Sequence, residues 1–407
     1  MATKEVVSDI ETFTDKESQP VDIFHSQVND NTCLQICDKP FSNSRRQTPA
    51  YSRLLAISNT YGYAIAGTPK GVSAFMTADA QNELAKGKSK GTNTAVSLAA
   101  RTEVDLSAHG KVTHIEITAD ELQVLIGTLS GKLLVFSAAS LFAAKGAASP
   151  QPAKSISVGC EIRDVRANPQ EVPNLAAVLT LAGDLLMVDV VSGSTKTIAS
   201  SADQITTAVC WSRKGKQIVC GDTQGLLKQR LPTDGTVKRT IEPQHEDDNI
   251  QPDAAVLAVD WVDTYSFFAV YGAFPEGALV AGNGGGGTGE DGEEDGVEDN
   301  MTAAYVITKS GKNASEQKWI YVEDPCSSMM CPERYPGFHI ACVPDWGKSA
   351  QNIIVMAGTS SDATMTIGQA LGSDEDSLEW ALWDIDGAMA VMPLSAVSNG
   401  DASDTFP

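Results

Sequence analysis

The chain has 407 residues, 42% of them hydrophobic and 20% charged, with 30 Lys and Arg against 52 Asp and Glu for a formal charge of −22. This is a globular composition, long enough to bury a sizeable core. Its negative sign argues against broad contact with phosphate backbones and favours basic protein surfaces instead, so direct nucleic-acid binding is not expected.

The opening MATKEVVSDIETFTDKESQP has neither the basic start nor the apolar run of a secretory signal. The longest uncharged apolar stretch, LLVFSAASLFAA from Leu133 to Ala144, falls short of the ~20 residues that span a bilayer, so no membrane span is expected. The eight cysteines (Cys33, Cys37, Cys160, Cys210, Cys220, Cys326, Cys331 and Cys342) are scattered in the manner of packed, reduced thiols.

A degenerate repeat runs along the chain: a β-rich run, a Gly or small polar residue, a short turn and a second β-run. Its six units are YAIAGTPKGVSAF, QVLIGTLSGKLLVF, AAVLTLAGDLLMVDV, QIVCGDTQGLLKQRL, FFAVYGAF and IIVMAGTSSDATMTI. The anchors at the ends of their first runs are Gly67, Gly127, Thr180, Gly221, Gly272 and Gly358, separated by 60, 53, 41, 51 and 86 residues. A four-stranded propeller blade needs about 40 to 45 residues, so most units carry insertions. Residues 78–102, 139–154 and 277–300 read as inserted loops, the first two with room for a helical turn, the last with seven carboxylates between Glu290 and Asp299 in a Gly-rich background and expected to be disordered. THIEI, TTAVCW and VLAVDWV each precede an anchor run as one strand precedes the next. No stretch sustains a 3.6-residue apolar period between capping signals. The fold class expected is all-β, an irregular WD-like β-propeller over 41–395, preceded by an N-terminal segment (1–40) and followed by a disordered tail (396–407).

Catalytic patterns match only formally. Gly282, Gly284 and Gly287 have GxGxxG spacing, but acids follow and no helix opens there to supply amides to a phosphate. Gly87, Ser89 and Gly91 have GxSxG spacing without the apolar strand that builds a nucleophile elbow. Cys326, Cys331, His339 and Cys342 do not fit a zinc finger or ribbon, and Asp291 to Asp299 lacks the ligand order of an EF-hand. Neither an enzyme nor a cofactor is expected. What remains is charge at turns. HEDDNIQPD places Glu246, Asp247, Asp248 and Asp253 just before VLAVDWV. It reads either as a solvated loop or as a docking site for a basic protein, because clustered rim carboxylates steer association and pair with Arg. SDEDSLEW, with Asp374, Glu375, Asp376 and Glu379, is a weaker candidate of the same kind.

RLLAISNTYGYAIAGTPKGVSAF (Arg53 to Phe75) and AVCWSRKGKQIVCGDTQG (Ala208 to Gly225) resemble the N-terminal propeller of the cytoplasmic-filament nucleoporins, the nucleoporin 159 and nucleoporin 214 group. VLAVDWVDTYSFFAVYG and DPCSSMMCPERYPGFHIACVPDW match in order, so the resemblance runs from Arg53 to Trp383. It implies a seven-bladed, non-catalytic scaffold in mRNA export on the cytoplasmic side of the nuclear pore. The implied partners are other nucleoporins and the DEAD-box RNA helicase of that pathway, bound in competition with RNA. Glu246 and Asp248 fall on the family's acidic contact positions with Asp247 and Asp253 beside them, and Glu333, Arg334 and Tyr335 border the same surface. The family's coiled-coil and Phe-Gly regions have no counterpart here, and the chain stops short of the strand pair that usually completes the last blade. That blade is expected to be incomplete, or closed by an N-terminal strand such as VDIFHSQ or TCLQICD. The competing reading is a WD-type propeller adaptor that binds a peptide or protein in another assembly; a metal-dependent propeller hydrolase ranks last, since no His or Asp repeats at equivalent blade positions.

Overall fold

The computed structural model describes residues 3–4, 6–12, 19–20, 33–36, 52–88, 95–142, 149–170, 172–243, 250, 253–273, 302–308, 316–322, 337–344, 352–358, 364–371 and 378–384. Four N-terminal strands come first: β1 (Thr3–Lys4), β2 (Val6–Thr12), β3 (Gln19–Pro20) and β4 (Cys33–Gln35). Sheet one contains β5 (Leu55–Ser58), β6 (Tyr63–Thr68), β7 (Gly71–Met76) and β9 (Thr102–Asp105), with helix α1 (Thr77–Lys88) and β8 (Ala95–Ser97) inserted before β9. Sheet two is β10 (Val112–Ile117), β11 (Gln123–Thr128), β12 (Lys132–Ser137) and β13 (Lys154–Ser157). Sheet three is β14 (Ile162–Ala167), β15 (Leu175–Thr180), β16 (Leu185–Asp189) and β17 (Thr195–Ala199). Sheet four is β18 (Thr206–Trp211), β19 (Ile218–Asp222), β20 (Leu227–Arg230) and β21 (Val237–Ile241). Sheet five is β22 (Ala255–Trp261), β23 (Phe267–Gly272), β24 (Ala303–Thr308) and β25 (Glu316–Val322). Sheet six is β26 (Phe338–Pro344), β27 (Asn352–Gly358), β28 (Thr364–Leu371) and β29 (Leu378–Asp384).

Each of the six is a four-stranded antiparallel meander, the unit of a propeller blade, and the parallel β4–β8 pair is a seventh sheet. The repeat in the sequence has six units, and seven is the number that the family resemblance implies. The chain divides into two compact units, Met1–Phe24 with Ala182–Asp184 and Ile198–Val391, and His25–Leu181 with Leu185–Thr197 and Met392–Pro407.

Within each unit, sheets stack face to face, which explains why the repeat reads as continuous apolar runs rather than alternation. In β11, Val124 and Ile126 pack toward Tyr63, Ile65 and Val72 of sheet one, whereas Leu125 packs toward Ile162, Val165 and Val178 of sheet three. In β23, Phe267, Ala269 and Tyr271 join Trp261, Tyr305 and Trp319 on one side, and Phe268 and Val270 join Ile354 and Met356 on the other. Middle strands therefore have no solvent face.

Every one of the six anchors lies in the last two residues of a second strand. Gly221 shows why the position is small: a Cβ there would stand 2.4 Å from Cγ1 of Val256 on the first strand of the next sheet. First strands share a further device. Their ladders shift register after Val112, Ile162, Thr206 and Val256, a bulge that turns the following residue out of the pairing. At one of them, Thr207 donates through Oγ1 to the Val256 carbonyl of the neighbouring sheet at 2.6 Å.

Three expectations need correction. The stretch 78–102 is not simply a loop: α1 occupies Thr77–Lys88, because Ala, Gln, Glu, Leu and Lys are strong helix formers, and a Glu83–Lys86 pair at 2.6 Å and an Asp79–Arg101 pair at 2.7 Å tie it down. The last sheet is not short of a strand, since LEWALWD supplies β29 as its fourth. The N-terminal strands are not confined to that sheet either. β1, β2 and β3 add in parallel to β21, β25 and β29, and TCLQICD contributes β4 to the pair with β8. VDIFHSQ, the loop 277–300 and the tail 396–407 lie outside the described residues.

Candidate protein-docking surface

HEDDNIQPD lies in the connection from β21 to β22, and both of its ends are fixed. Ile250 and Ala254 are buried in the cluster that contains Trp261, Phe267 and Trp319. Gly225, at φ +75°, sits beneath both flanks: a Cβ there would be 2.8 Å from the Ala254 carbonyl and 3.2 Å from Pro243. Asp253 stands exposed in the turn that enters β22. Glu246, Asp247 and Asp248, between Pro243 and Ile250, lie outside the described residues, as do Glu333, Arg334 and Tyr335 in the connection from β25 to β26.

Strand parity gives these segments a common address. In an antiparallel meander, the connections leaving the second and fourth strands emerge at one end of the sheet, and those leaving the first and third emerge at the other. In the unit that holds sheets four to six, the connections that start at the first end include three that are acid-rich in sequence: HEDDNIQPD after β21; the β23–β24 connection with seven carboxylates from Glu290 to Asp299; and the β25–β26 connection with Glu323, Asp324 and Glu333. Arg334 is the one basic side chain in those three connections, apart from His245. SDEDSLEW joins β28 to β29 and so belongs to the opposite end, where Arg213, Lys214 and Lys216 follow β18. The stronger and weaker sequence candidates thus do not share a surface.

Not every acid at the first end is available. Asp222 is buried, pairs with Lys228 at 2.9 Å and accepts the Gln224 and Leu226 amides at 3.0 Å, so its charge is used inside the turn. No group of three His, Cys, Asp or Glu is arranged to hold a metal among the described residues. Of the cysteine and histidine cluster noted in the sequence, His339 and Cys342 lie on β26, and the other two lie outside the described residues.

The two sequence stretches that carry the family resemblance form clamps between sheets. In SNTYG, the Ser58 hydroxyl and the Thr60 amide (2.9 Å) donate to the Glu121 carboxylate of sheet two's first turn. Tyr63 donates to the Glu121 carbonyl at 2.6 Å, and burial, with the Glu121 and Asp120 charges, pushes its phenol up to about 12. In WSRKGKQ, Ser212 closes the turn through Gln217 and Gly215, and Arg213 reaches Asn352 and the Cys342 sulfur on sheet six.

A second charged constellation has no sequence signature. Arg53, just before β5, bridges in parallel to His114 on β10, and its guanidinium continues to Asp164 on β14 at 2.5 Å. Arg166 binds the other Asp164 oxygen at 2.9 Å. Burial pushes the Asp164 carboxyl up, but Arg166, Arg53 and His114 together outweigh it and hold the group well below the usual carboxylate range. Glu116 alongside is raised by burial, which Arg53 and Arg166 only partly offset. The partners are 111 residues apart, too far for any local pattern to reveal them.

With the blade geometry established, comparison with known proteins becomes decisive. The NUP159/214 beta-propeller family matches residues 49–407. The chain belongs to that family. It is 25% identical over 361 residues to the human nuclear pore complex protein Nup214 and 25% identical over 378 residues to the nucleoporin nup146 of Schizosaccharomyces pombe. These alignments cover 86% and 89% of the chain but only 15% and 25% of the relatives. The N-terminal domain of Nup159 superposes with a TM-score of 0.63 at 14% identity, covering 99% of this chain and 91% of that one. A Saccharomyces cerevisiae structure of Dbp5 bound to Nup159, Gle1, IP6 and ADP contains a similar chain, with a TM-score of 0.59 at 14% identity and coverage of 92% and 90%.

Proposed function

We propose that this propeller is a non-catalytic docking platform on the cytoplasmic face of the nuclear pore that binds the DEAD-box RNA helicase of mRNA export in competition with RNA. What supports the reading is that β21, β23 and β25, whose following connections are all acid-rich in sequence, end on the same side of their sheets. Held at both flanks by Ile250 and Gly225, HEDDNIQPD presents carboxylates to a basic surface without taking them from the core. The similar Nup159 chain, solved with Dbp5, supports the choice of partner. Glu246, Asp247, Asp248 and Asp253 are assigned to Arg pairing, and Glu333, Arg334 and Tyr335 to the neighbouring edge. Because helicases bind RNA through a basic face, an acidic platform competes with RNA for it. Other nucleoporins anchor the platform at the pore.

Binding of the purified chain to the export helicase, with and without single-stranded RNA, tests the reading. Reversal of Glu246, Asp247 and Asp248 to Lys is expected to weaken binding by more than about 30-fold, the equivalent of ~2 kcal/mol for lost charge pairs, with the thermal midpoint unchanged. The association rate of the wild-type chain falls as salt rises. Undiminished binding by the triple variant rejects the site, and RNA-insensitive binding rejects the competition.

A further inference from the structure

Two turns of this chain have the same build and different surroundings. Between β16 and β17, Gly193 donates to the Asp189 carbonyl at 2.7 Å and Asp189 to the Ser194 carbonyl at 2.9 Å; between β20 and β21, Gly235 donates to the Leu231 carbonyl at 2.9 Å and Leu231 to the Thr236 carbonyl at 3.0 Å. Both glycines are left-handed, at φ +81° and +77°. Gly235 is pressed onto the last strand of the preceding sheet: a Cβ there would stand 2.2 Å from the Ile198 carbonyl oxygen. Gly193 stands off its own preceding sheet, where the nearest atom to such a Cβ would be Cδ of Lys154, 3.7 Å away. The space left is a cleft of about 400 Å³, with all of β13 (Lys154–Ser157) as one wall and Ser192, Gly193 and Thr195 as the other.

Alternate residues of a strand point to opposite faces, so a cleft lined by four consecutive residues runs along the edge of the strand. That edge is open. β13 is the outer strand of sheet two, with no fifth strand among the described residues. Val158 donates to the Gly131 carbonyl at 2.9 Å, one step beyond the Ser157–Lys132 pair, and by the alternation of an antiparallel ladder the amides of Ser155 and Ser157 point away from β12. The chain already uses outer edges in this way: β1, β2 and β3 add as parallel fifth strands to β21, β25 and β29.

Charge selects the occupant. Asp189 turns its Oδ1 to the amides of Val191 at 3.0 Å and Ser192 at 2.7 Å, and Lys154 forms no ion pair among the described residues. Four hydroxyl side chains complete the polar lining, with no carboxylate among them. We propose that this cleft binds an extended peptide by strand addition to β13, with an anionic side chain of the peptide, a carboxylate or a phosphate, meeting Lys154 and the hydroxyls. The cleft belongs to the unit of sheets one to three and HEDDNIQPD to the other, so the inference does not rest on the helicase reading.

The full chain, labelled at its isoleucine δ1 methyls, is titrated with three capped peptides: VTETV, VTQTV, and VTSTV phosphorylated on its serine. Methyl NMR at Ile156, which lines the cleft, reads the binding. The two anionic peptides are expected to shift Ile156 saturably and to bind about tenfold more tightly than VTQTV. Lys154→Gln should remove that preference and leave VTQTV unchanged. Ser157→Pro, which removes an outward amide and spares the β12 ladder, should weaken all three about tenfold with the thermal midpoint unchanged. Should that variant fail to fold, two peptides N-methylated along one edge or the other serve the same comparison, because they lose pairing donors without altering the protein. The tighter of the two anionic peptides tells carboxylate from phosphate. No saturable shift with either overturns the cleft. Equal affinity for VTQTV, or a preference that survives Lys154→Gln, overturns the anionic contact, and full binding by Ser157→Pro or of both N-methylated peptides overturns strand addition.

Discussion

Asp164→Asn keeps the side chain's shape and removes one charge from the lock that joins the first strands of sheets one, two and three. Asp164 is 16% exposed and holds Arg53 at 2.5 Å and Arg166 at 2.9 Å, with His114 at 3.8 Å. Without the carboxylate, cationic groups face one another across a partly buried site. Removing one partner of a buried pair costs about 3–5 kcal/mol, and the lower end applies because both guanidiniums reach water. About 3 kcal/mol corresponds to a midpoint lower by about 6 to 12 °C for a cooperative unit of roughly 200 residues. Thermal melts followed by circular dichroism at pH 7 measure it, and a cycle with Arg53→Met should return a coupling of about 1 kcal/mol or more. The sign of the pH dependence follows from a folded-state pKa below the unfolded value. The stabilisation is fully present above about pH 3.9 and is lost as pH falls further, so the wild-type advantage narrows in acid. A variant within about 0.5 kcal/mol of wild type at pH 7, an additive cycle, or a deficit that does not narrow below pH 4 would refute the reasoning.

Gly221→Ala forces a methyl group against Val256 and is expected to destabilise by about 1–3 kcal/mol in urea titrations, with partial recovery when Val256→Ala is added. Burial pushes the Cys220 thiol up to about 12, so iodoacetamide at pH 8 should modify the partly exposed Cys160 in the native protein and reach Cys220 only after denaturant is added, as read by peptide mass mapping. Arg213→Ala loses the tie from the WSRKGKQ turn to Asn352, at an exposed position, and should cost about 1 kcal/mol with no change in helicase affinity, because that turn lies at the opposite end from HEDDNIQPD.

The blade repeat was legible because its cause is local. A second strand buried on both faces must be apolar throughout, and it must end in a small residue where the next sheet's first strand crosses, as at Gly127 and Gly221. Both requirements are visible at β11 and β19, and an anchor in the last two residues closes the second strand of each of the six sheets. The β4–β8 pair has only three residues per strand and leaves no such trace. Among the N-terminal strands, TCLQICD was picked out in the sequence as a closing strand but pairs with β8 instead, and β1, β2 and β3 left no signal, because parallel pairing with a distant edge needs no turn signal and makes little demand on composition. Helix α1 was legible as no more than a helical turn because its apolar face is narrow: among its residues with described burial Ala80 alone is buried, so helix propensity rather than periodicity was the evidence available. At the docking surface, the acids of HEDDNIQPD stood out as charge. Which acids lie together depended on strand parity, which appears only when the strands have been paired.

That parity has an electrical consequence. In the unit holding sheets four to six, the connections that follow β21, β23 and β25 are rich in carboxylates in sequence, while those that follow first and third strands set SDEDSLEW against SRKGKQ. A dipole along the strand direction, in addition to the net charge, is the consequence expected of that order. A monopole accelerates the arrival of a basic partner from every side equally, but a dipole exerts a torque and turns the two molecules before they touch. The four-strand meander of each blade, by returning alternate connections to one end, thus links strand order to the orientation expected of an encounter.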